Sequence, residues 1–296
     1  MELHYVFIGC IAFICETIDS SLGGGYGTIL TPVLLFMGFE PLEIVPLILV
    51  SELITGLTAG ISHHRMGNVD LRPGAKPFKI ALVLSLCGIL GAIIAVFSAL
   101  NLPKTVIKGY IAFLIIFLGV FNLLALEMSF KFSWKKIMGL GMLASFNKAL
   151  SGGGYGPLIV GGQLLSGLKA KNAVGITSLA EGLTCLVGIV VYLLMNGTGL
   201  FFNWHLGLAL TAGALLSVPF SVNLVRLVDE KLLRRGIAVT ILILGFATFY
   251  KTFHALFCIH NLPLAVFFVI IALPLGYFLG KKKTAQVHSE QRDVKS

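Results

Sequence analysis

Charge is what this sequence of 296 residues lacks most: Asp, Glu, Lys and Arg together make up 12%, against 57% hydrophobic residues. Soluble chains run at about 25% charged and about 45–50% apolar, and a chain of this length has no way to hide so much apolar surface from water. That excludes a soluble globular domain. The apolar residues come in long runs, not in short alternating segments. This excludes a β-barrel and leaves a polytopic α-helical membrane protein. Cysteine is sparse as well. Cys10, Cys15, Cys87, Cys185 and Cys258 are scattered through or beside apolar runs, with no CxxC pair. They read as small packing residues, not as a disulfide framework or a metal cluster. The start, MELHYVFIGC, lacks a basic n-region and an A-x-A-like cleavage site, so the first apolar segment is expected to stay in the mature protein.

Runs long enough to cross a bilayer lie at about 43–62, 77–99, 105–126, 172–195, 204–223, 235–253 and 261–280, each near the ~20 residues a spanning helix needs. Four others, at 3–18, 28–38, 135–150 and 157–167, are short or interrupted. An arm such as 28–38 is only ~16 Å long, about half the hydrocarbon thickness. One pentapeptide, GGGYG, joins these short runs in pairs, at Gly23–Gly27 and again at Gly152–Gly156. If the long runs cross and each short pair dips in and returns, 18 of the 22 Lys and Arg residues fall on one side: in loops 63–79, 127–136 and 224–235, at Lys169 and Lys171, and in the tail after 280. That side is cytoplasmic by the positive-inside rule. The C-terminus is then cytoplasmic and the N-terminus outside, in the inner or plasma membrane. The net charge of +9 is topogenic, and no nucleic-acid partner is expected.

The repeat is wider than its glycines. An offset of 129 brings Tyr26 onto Tyr155, Gly38 onto Gly167, Val45 onto Val174, Glu52 onto Glu181 and Thr55 onto Thr184. With a two-residue slip, Lys104 meets Lys231, Lys108 meets Arg235 and Gly109 meets Gly236. The spacing predicts two homologous halves, 1–130 and 131–260, followed by an extra helix and basic tail at 261–296. Three spans per half is an odd number, so the halves face opposite ways. The expected fold is an all-α polytopic membrane protein built as an inverted-topology repeat. Each half has a Gly-broken re-entrant hairpin and three spanning helices, and one further spanning helix follows at the C-terminus. Broken helices at matched positions point to a midplane substrate site in such transporters.

Backbone that is not helical is tolerated at membrane depth only where protein or trapped water satisfies it. Helices starting at about Thr28 and Pro157 would aim free N–H donors and partial positive charge at the breaks, which makes an anion site. The expected substrate ligands are Gly23, Gly24, Gly25, Tyr26, Asn147, Lys148, Ser151, Gly152, Gly153, Gly154 and Tyr155; close helix packing is the other use for such glycines. Glu52 and Glu181 fall near the middle of long runs, where an ionised carboxylate is expensive and a function or a partner is expected. They read as proton carriers, gates or braces for the hairpins. Glu16 and Asp19 sit at the first tip, and Asp19 joins the proton-coupling candidates. Lys148, the counterpart of Asp19, either offsets the charge of a bound anion or pairs with an acid, Asp19 included. His63 and His64 read as interfacial polar residues: adjacent histidines do not share a helix face, and no zinc spacing surrounds them. An intramembrane serine hydrolase built on Ser21 or Ser151 lacks a histidine inside a span to act as base, so no enzyme is expected.

The stretches DSSLGGGYGTILTPVLLFMGFEP, HHRMGNVDLRPG and SGGGYGPLIVGGQLLSGLKAKNAVGITSLAE resemble the TauE/SafE family of sulfite exporters, and the resemblance covers nearly the whole chain. It implies transport of small sulfur-containing anions such as sulfite or sulfonates, sulfoacetate among them, without cofactor or ATP. The function expected is a secondary permease for such an anion, working by alternating access with proton coupling. A passive anion channel, or a permease for a different small carboxylate or oxyanion, is the alternative. The expected partners are the anionic substrate and the lipid bilayer; the sequence is silent on oligomeric state.

Overall fold

The computed structural model describes residues 2–124, 133–196, 203–224, 239 and 242–253. The chain divides into two compact units, Met1–Phe249 and Tyr250–Ser296, and the elements that hold the site all lie in the first. Among the described residues the regular structure is helical: α1 Glu2–Leu22, α2 Tyr26–Phe36, α3 Pro41–Arg65, α4 Lys76–Asn101, α5 Lys104–Leu124, α6 Trp134–Ser151, α7 Tyr155–Leu165, α8 Ala170–Asn196 and α9 Trp204–Leu224. A short apolar helix, α10, covers Leu242–Phe253. Among the described residues six helices are long and apolar enough to cross a membrane: α1, α3, α4, α5, α8 and α9. Large apolar side chains on α4 such as Leu86, Leu90 and Phe97 stay exposed, as a lipid-facing surface requires.

Several expectations shift at their edges. The run at 3–18 is not a short arm: α1 continues through Glu16 and Asp19 to Leu22 and is one of the six long helices. Acidic residues ended the apolar run but not the helix, because their side chains find partners inside the protein. The helices after the breaks start at Tyr26 and Tyr155, two residues earlier than Thr28 and Pro157, so each tyrosine belongs to its helix. The arms α2 and α7 are 11 residues each, as short as expected. The run at 235–253 is described only at 239 and 242–253, and the run at 261–280 lies outside the described residues.

Small residues set the helix contacts. A Cβ on Gly56 would stand 3.0 Å from the Gly182 Cα, one on Gly60 3.1 Å from the Leu179 Cβ, and one on Gly188 3.0 Å from the Leu49 Cδ1. As numbers rise along α3 they fall along α8, so these two helices run antiparallel in close backbone contact, the use membrane proteins make of small residues. In α4 and α6 the numbers rise together: a Cβ on Gly141 would stand 3.0 Å from the Leu84 Cα, and one on Gly88 2.9 Å from the Ser145 Cβ. The same holds for α1 and α9. Tyr5 stacks on His205 at 5.5 Å, a Cβ on Gly9 would stand 3.3 Å from the Ala209 carbonyl oxygen, and Phe13 meets Phe220 at 6.1 Å. The His4 and Phe39 rings lie 6.2 Å apart, so the chain leaving α2 is back beside the start of α1.

Candidate functional site

The chain turns at the breaks where glycine permits it. Gly23 and Gly152, 129 positions apart, have φ of 75° and 76°, a region that side chains with a Cβ avoid. The two breaks then meet. A Cβ on Gly24 would stand 2.6 Å from the Pro157 Cδ, one on Gly153 2.7 Å from the Thr28 nitrogen, and one on Gly156 2.6 Å from the Gly23 carbonyl oxygen. One on Gly27 would overlap the Gly152 carbonyl. The backbones pass in direct contact, and the Gly154 N–H donates across it to Thr28 Oγ1 at 3.0 Å. Close packing is therefore one of the uses these glycines serve.

The two helix starts differ in charge. At α2, Asp19 accepts from the Tyr26 N–H at 3.2 Å. A carboxylate of the chain already sits where the helix end favours an anion. At the α7 start the partners are neutral hydroxyls: Thr28 for Gly154, and Ser151 Oγ for the Gly153 N–H at 3.2 Å. Ser151 Oγ itself donates to the Asn147 carbonyl at 2.7 Å.

Lys148 lies one turn before the second break, where its carbonyl accepts from the Gly152 N–H at 2.8 Å, and is 1% exposed. Its ammonium pairs with Glu181 at 2.7 Å and with Glu52, so the two glutamates read from the middle of their runs share one cation. Asp19, weighed from the sequence as a partner of Lys148, is not the acid it pairs with; it caps α2 instead. Glu16, 1% exposed, accepts from Ser20 Oγ at 2.5 Å and from Thr55 Oγ1 at 3.3 Å. Among the described residues no cation pairs with it. One oxygen of Glu52, Oε1, and the hydroxyl of Thr31 are buried with no hydrogen-bond partner among the described residues. The Cys185 sulfur lies 4.0 Å from the other Glu52 oxygen.

Tyr26 and Tyr155 are both fully buried. The Tyr26 hydroxyl lies 2.8 Å from Ser51 Oγ and donates to the Leu210 carbonyl at 3.4 Å, while Tyr155 accepts from Thr184 at 3.4 Å. Asn147 accepts from the Tyr110 hydroxyl at 2.5 Å. His63 lies in the last turn of α3, but inside the protein and not on its surface. It is fully buried, because its ring bridges the Ser20 carbonyl at 2.8 Å and Asn68 at 3.0 Å. His64, only partly buried, meets the Val69 carbonyl at 3.2 Å. On the exposed loop beyond, Arg72 hydrogen-bonds Asp70 and holds its carboxyl low, at about 2. Sequence reasoning gave no role to Glu16, Thr28, Ser51 or Cys185. Glu16 had a signal, an acid about two turns before the break, but no partner was visible for it along the chain.

The family described as "Sulfite exporter TauE/SafE" matches residues 8–248, the region that contains both breaks and the Lys148 cluster. The chain belongs to the TauE/SafE family. It is 30% identical over 233 residues to "Probable membrane transporter protein YtnM" of Bacillus subtilis (strain 168), covering 75% of this chain and 74% of that protein. It is also 31% identical over 119 residues to "Probable membrane transporter protein ORF9" of Sinorhizobium sp, covering 40% of this chain and 42% of that one. No solved structure matches the chain. With six helices among the described residues able to cross a bilayer, this TauE/SafE member is an integral membrane protein of a transporter family.

Proposed function

We propose that the chain is a secondary permease for a small sulfur-containing anion, sulfite or an organosulfonate such as sulfoacetate, moving it by alternating access with proton coupling. The observation that carries this reading is the direct meeting of the two breaks over a buried amine–carboxylate cluster. Inverted repeats with discontinuous helices around a midplane site are the plan of many secondary transporters. The antiparallel run of α3 against α8, helices at matched places in the two halves, supports that plan here. So does the exchange by which α1 packs on α9 and α6 on α4. In this reading α1–α2 and α6–α7 are the broken hairpins, with α1 long enough to cross and α2 and α7 the half-length arms, and a passive channel is an outcome of the test.

The anion is seated at the α7 start, because Asp19 already occupies the α2 start. The ligands there are the Gly153 and Gly154 N–H groups, which exchange the Ser151 and Thr28 hydroxyls for the anion, with the Thr31 hydroxyl as a further donor; the Gly152 N–H stays with the Lys148 carbonyl at the end of α6. Lys148 already faces two carboxylates, so an arriving anion meets an acidic site and needs positive charge to come with it. Three of the buried acids have a positive partner: Glu52 and Glu181 have Lys148, and Asp19 has a helix end. Glu16 has hydroxyls alone, and a buried carboxylate without a counter-charge is costly. A proton completes it, and Glu16 takes the coupling proton while Glu52, Glu181 and Asp19 gate the site.

Proteoliposomes test this with labelled sulfite and sulfoacetate in two assays, trans-stimulated counterflow and uptake driven by a pH gradient. The expected outcome is counterflow for the wild type and gradient-driven accumulation that Glu16→Gln abolishes while keeping counterflow. Flux without trans-stimulation would make the protein a channel. Unchanged gradient dependence in Glu16→Gln would remove Glu16 from the coupling step.

A further inference from the structure

The last turns of α1 and α6, where the helices break, leave backbone carbonyls without the usual N–H donors four residues on. Inside a bilayer such groups need a donor from elsewhere. For α1 the donor is His63, whose Nε2 lies 2.8 Å from the Ser20 carbonyl oxygen. For α6 it is Tyr192, whose hydroxyl donates to the Ala149 carbonyl at 2.9 Å. His63 and Tyr192 are 129 positions apart, and so are Ser20 and Ala149. The same bond is thus made twice at the repeat offset with different side chains, both fully buried. Because α3 and α8 run antiparallel, His63 near the end of one and Tyr192 near the end of the other lie at opposite ends of the pair.

The bonds around His63 define its tautomer. A carbonyl only accepts, so Nε2 carries the hydrogen and Nδ1 accepts from the Asn68 amide at 3.0 Å. The same amide nitrogen donates to the Val222 carbonyl at 3.3 Å. His63 and Asn68 therefore tie α1, α3, the loop after α3 and the end of α9 together. The loop is pressed down at this place: Val69 is buried, and a Cβ on Gly175 of α8 would collide with it and stand 3.2 Å from the His63 Cβ.

We propose that His63, through Asn68, and Tyr192 are positioning residues that latch the two broken helices closed at opposite ends of the molecule, with both latches engaged in the structure described. The proposal rests on the alternating-access reading, in which one end opens while the other stays shut. Releasing His63 opens the end that carries loop 66–75, and releasing Tyr192 opens the other.

Cys185, buried beside Glu52, is a reporter already in place. In the full chain with Cys10, Cys15, Cys87 and Cys258 changed to Ala, a membrane-impermeant thiol reagent is added to one side or the other of oriented vesicles. One hydrogen bond is worth about 0.5–1.5 kcal/mol net, so each release changes labelling by roughly 2–12-fold. His63→Leu is expected to speed labelling by that factor from the loop 66–75 side alone, and Tyr192→Phe, which removes a single oxygen, from the opposite side alone. His63→Gln, which retains a donor for the Ser20 carbonyl, is expected to restore the wild-type rate. Equal acceleration from both sides, or no change in Tyr192→Phe and His63→Leu, would overturn the latches. The labelling needs no transported substrate, so its failure is distinct from a failure of the counterflow assay.

Discussion

Replacing Lys148 by Met probes the centre of the site most directly. Lys148, Glu52 and Glu181 are 1%, 2% and 4% exposed, so water gives almost no relief to a charge left behind. Met keeps the length and volume of the aliphatic stem and removes only the ammonium. Breaking a buried ion pair by taking away one partner costs about 3–5 kcal/mol, because the surviving charge is stranded. Here two carboxylates are stranded at once, against one another. At about 2–4 °C per kcal/mol for a chain of this size class, thermal unfolding in detergent should drop by roughly 6–20 °C. The loss belongs to the orphaned acids and not to the missing amine, so adding Glu52→Gln and Glu181→Gln to Lys148→Met should recover most of it. An apolar or neutral replacement of a whole buried ion cluster is often neutral or stabilising. A shift for Lys148→Met below about 2 °C, or a triple variant no more stable than the single one, would refute the shared-cation arrangement.

The glycine contacts predict opposite outcomes for one substitution. Gly27→Ala and Gly156→Ala press a Cβ into the backbone of the other break and should lose about 1–3 kcal/mol or more in chemical denaturation. Gly139→Ala, a helix position with nothing within 4 Å of the added Cβ, should gain about 0.5–1 kcal/mol. Ser145 is fully buried with an unpartnered hydroxyl, so Ser145→Ala should raise stability by about 1 kcal/mol in the same measurement. An unchanged or lowered midpoint for Ser145→Ala would show that its hydroxyl has a partner after all.

Much of this protein is written in local features of the chain. The scarcity of charge determines the solvent, since about 20 apolar residues in a row have no stable place but a bilayer or a core. GGGYG marks where the helix stops, because a left-handed turn such as those at Gly23 and Gly152 is a property of the residue itself. The length of the arms follows from counting, and the repeat follows from matching one half against the other. What the tertiary structure alone decided is partnership. Four acids and one amine are readable in the sequence, but not that Glu52 and Glu181 share Lys148 while Asp19 turns to the start of α2. His63 adjoins a basic loop, and nothing near it in the sequence names its partner, the Ser20 carbonyl 43 residues earlier in the chain. Backbone conformation and hydrophobicity are properties of a residue and its neighbours. A buried polar group instead takes whichever partner the packing of distant helices brings within hydrogen-bonding distance, and no local pattern records which one that is.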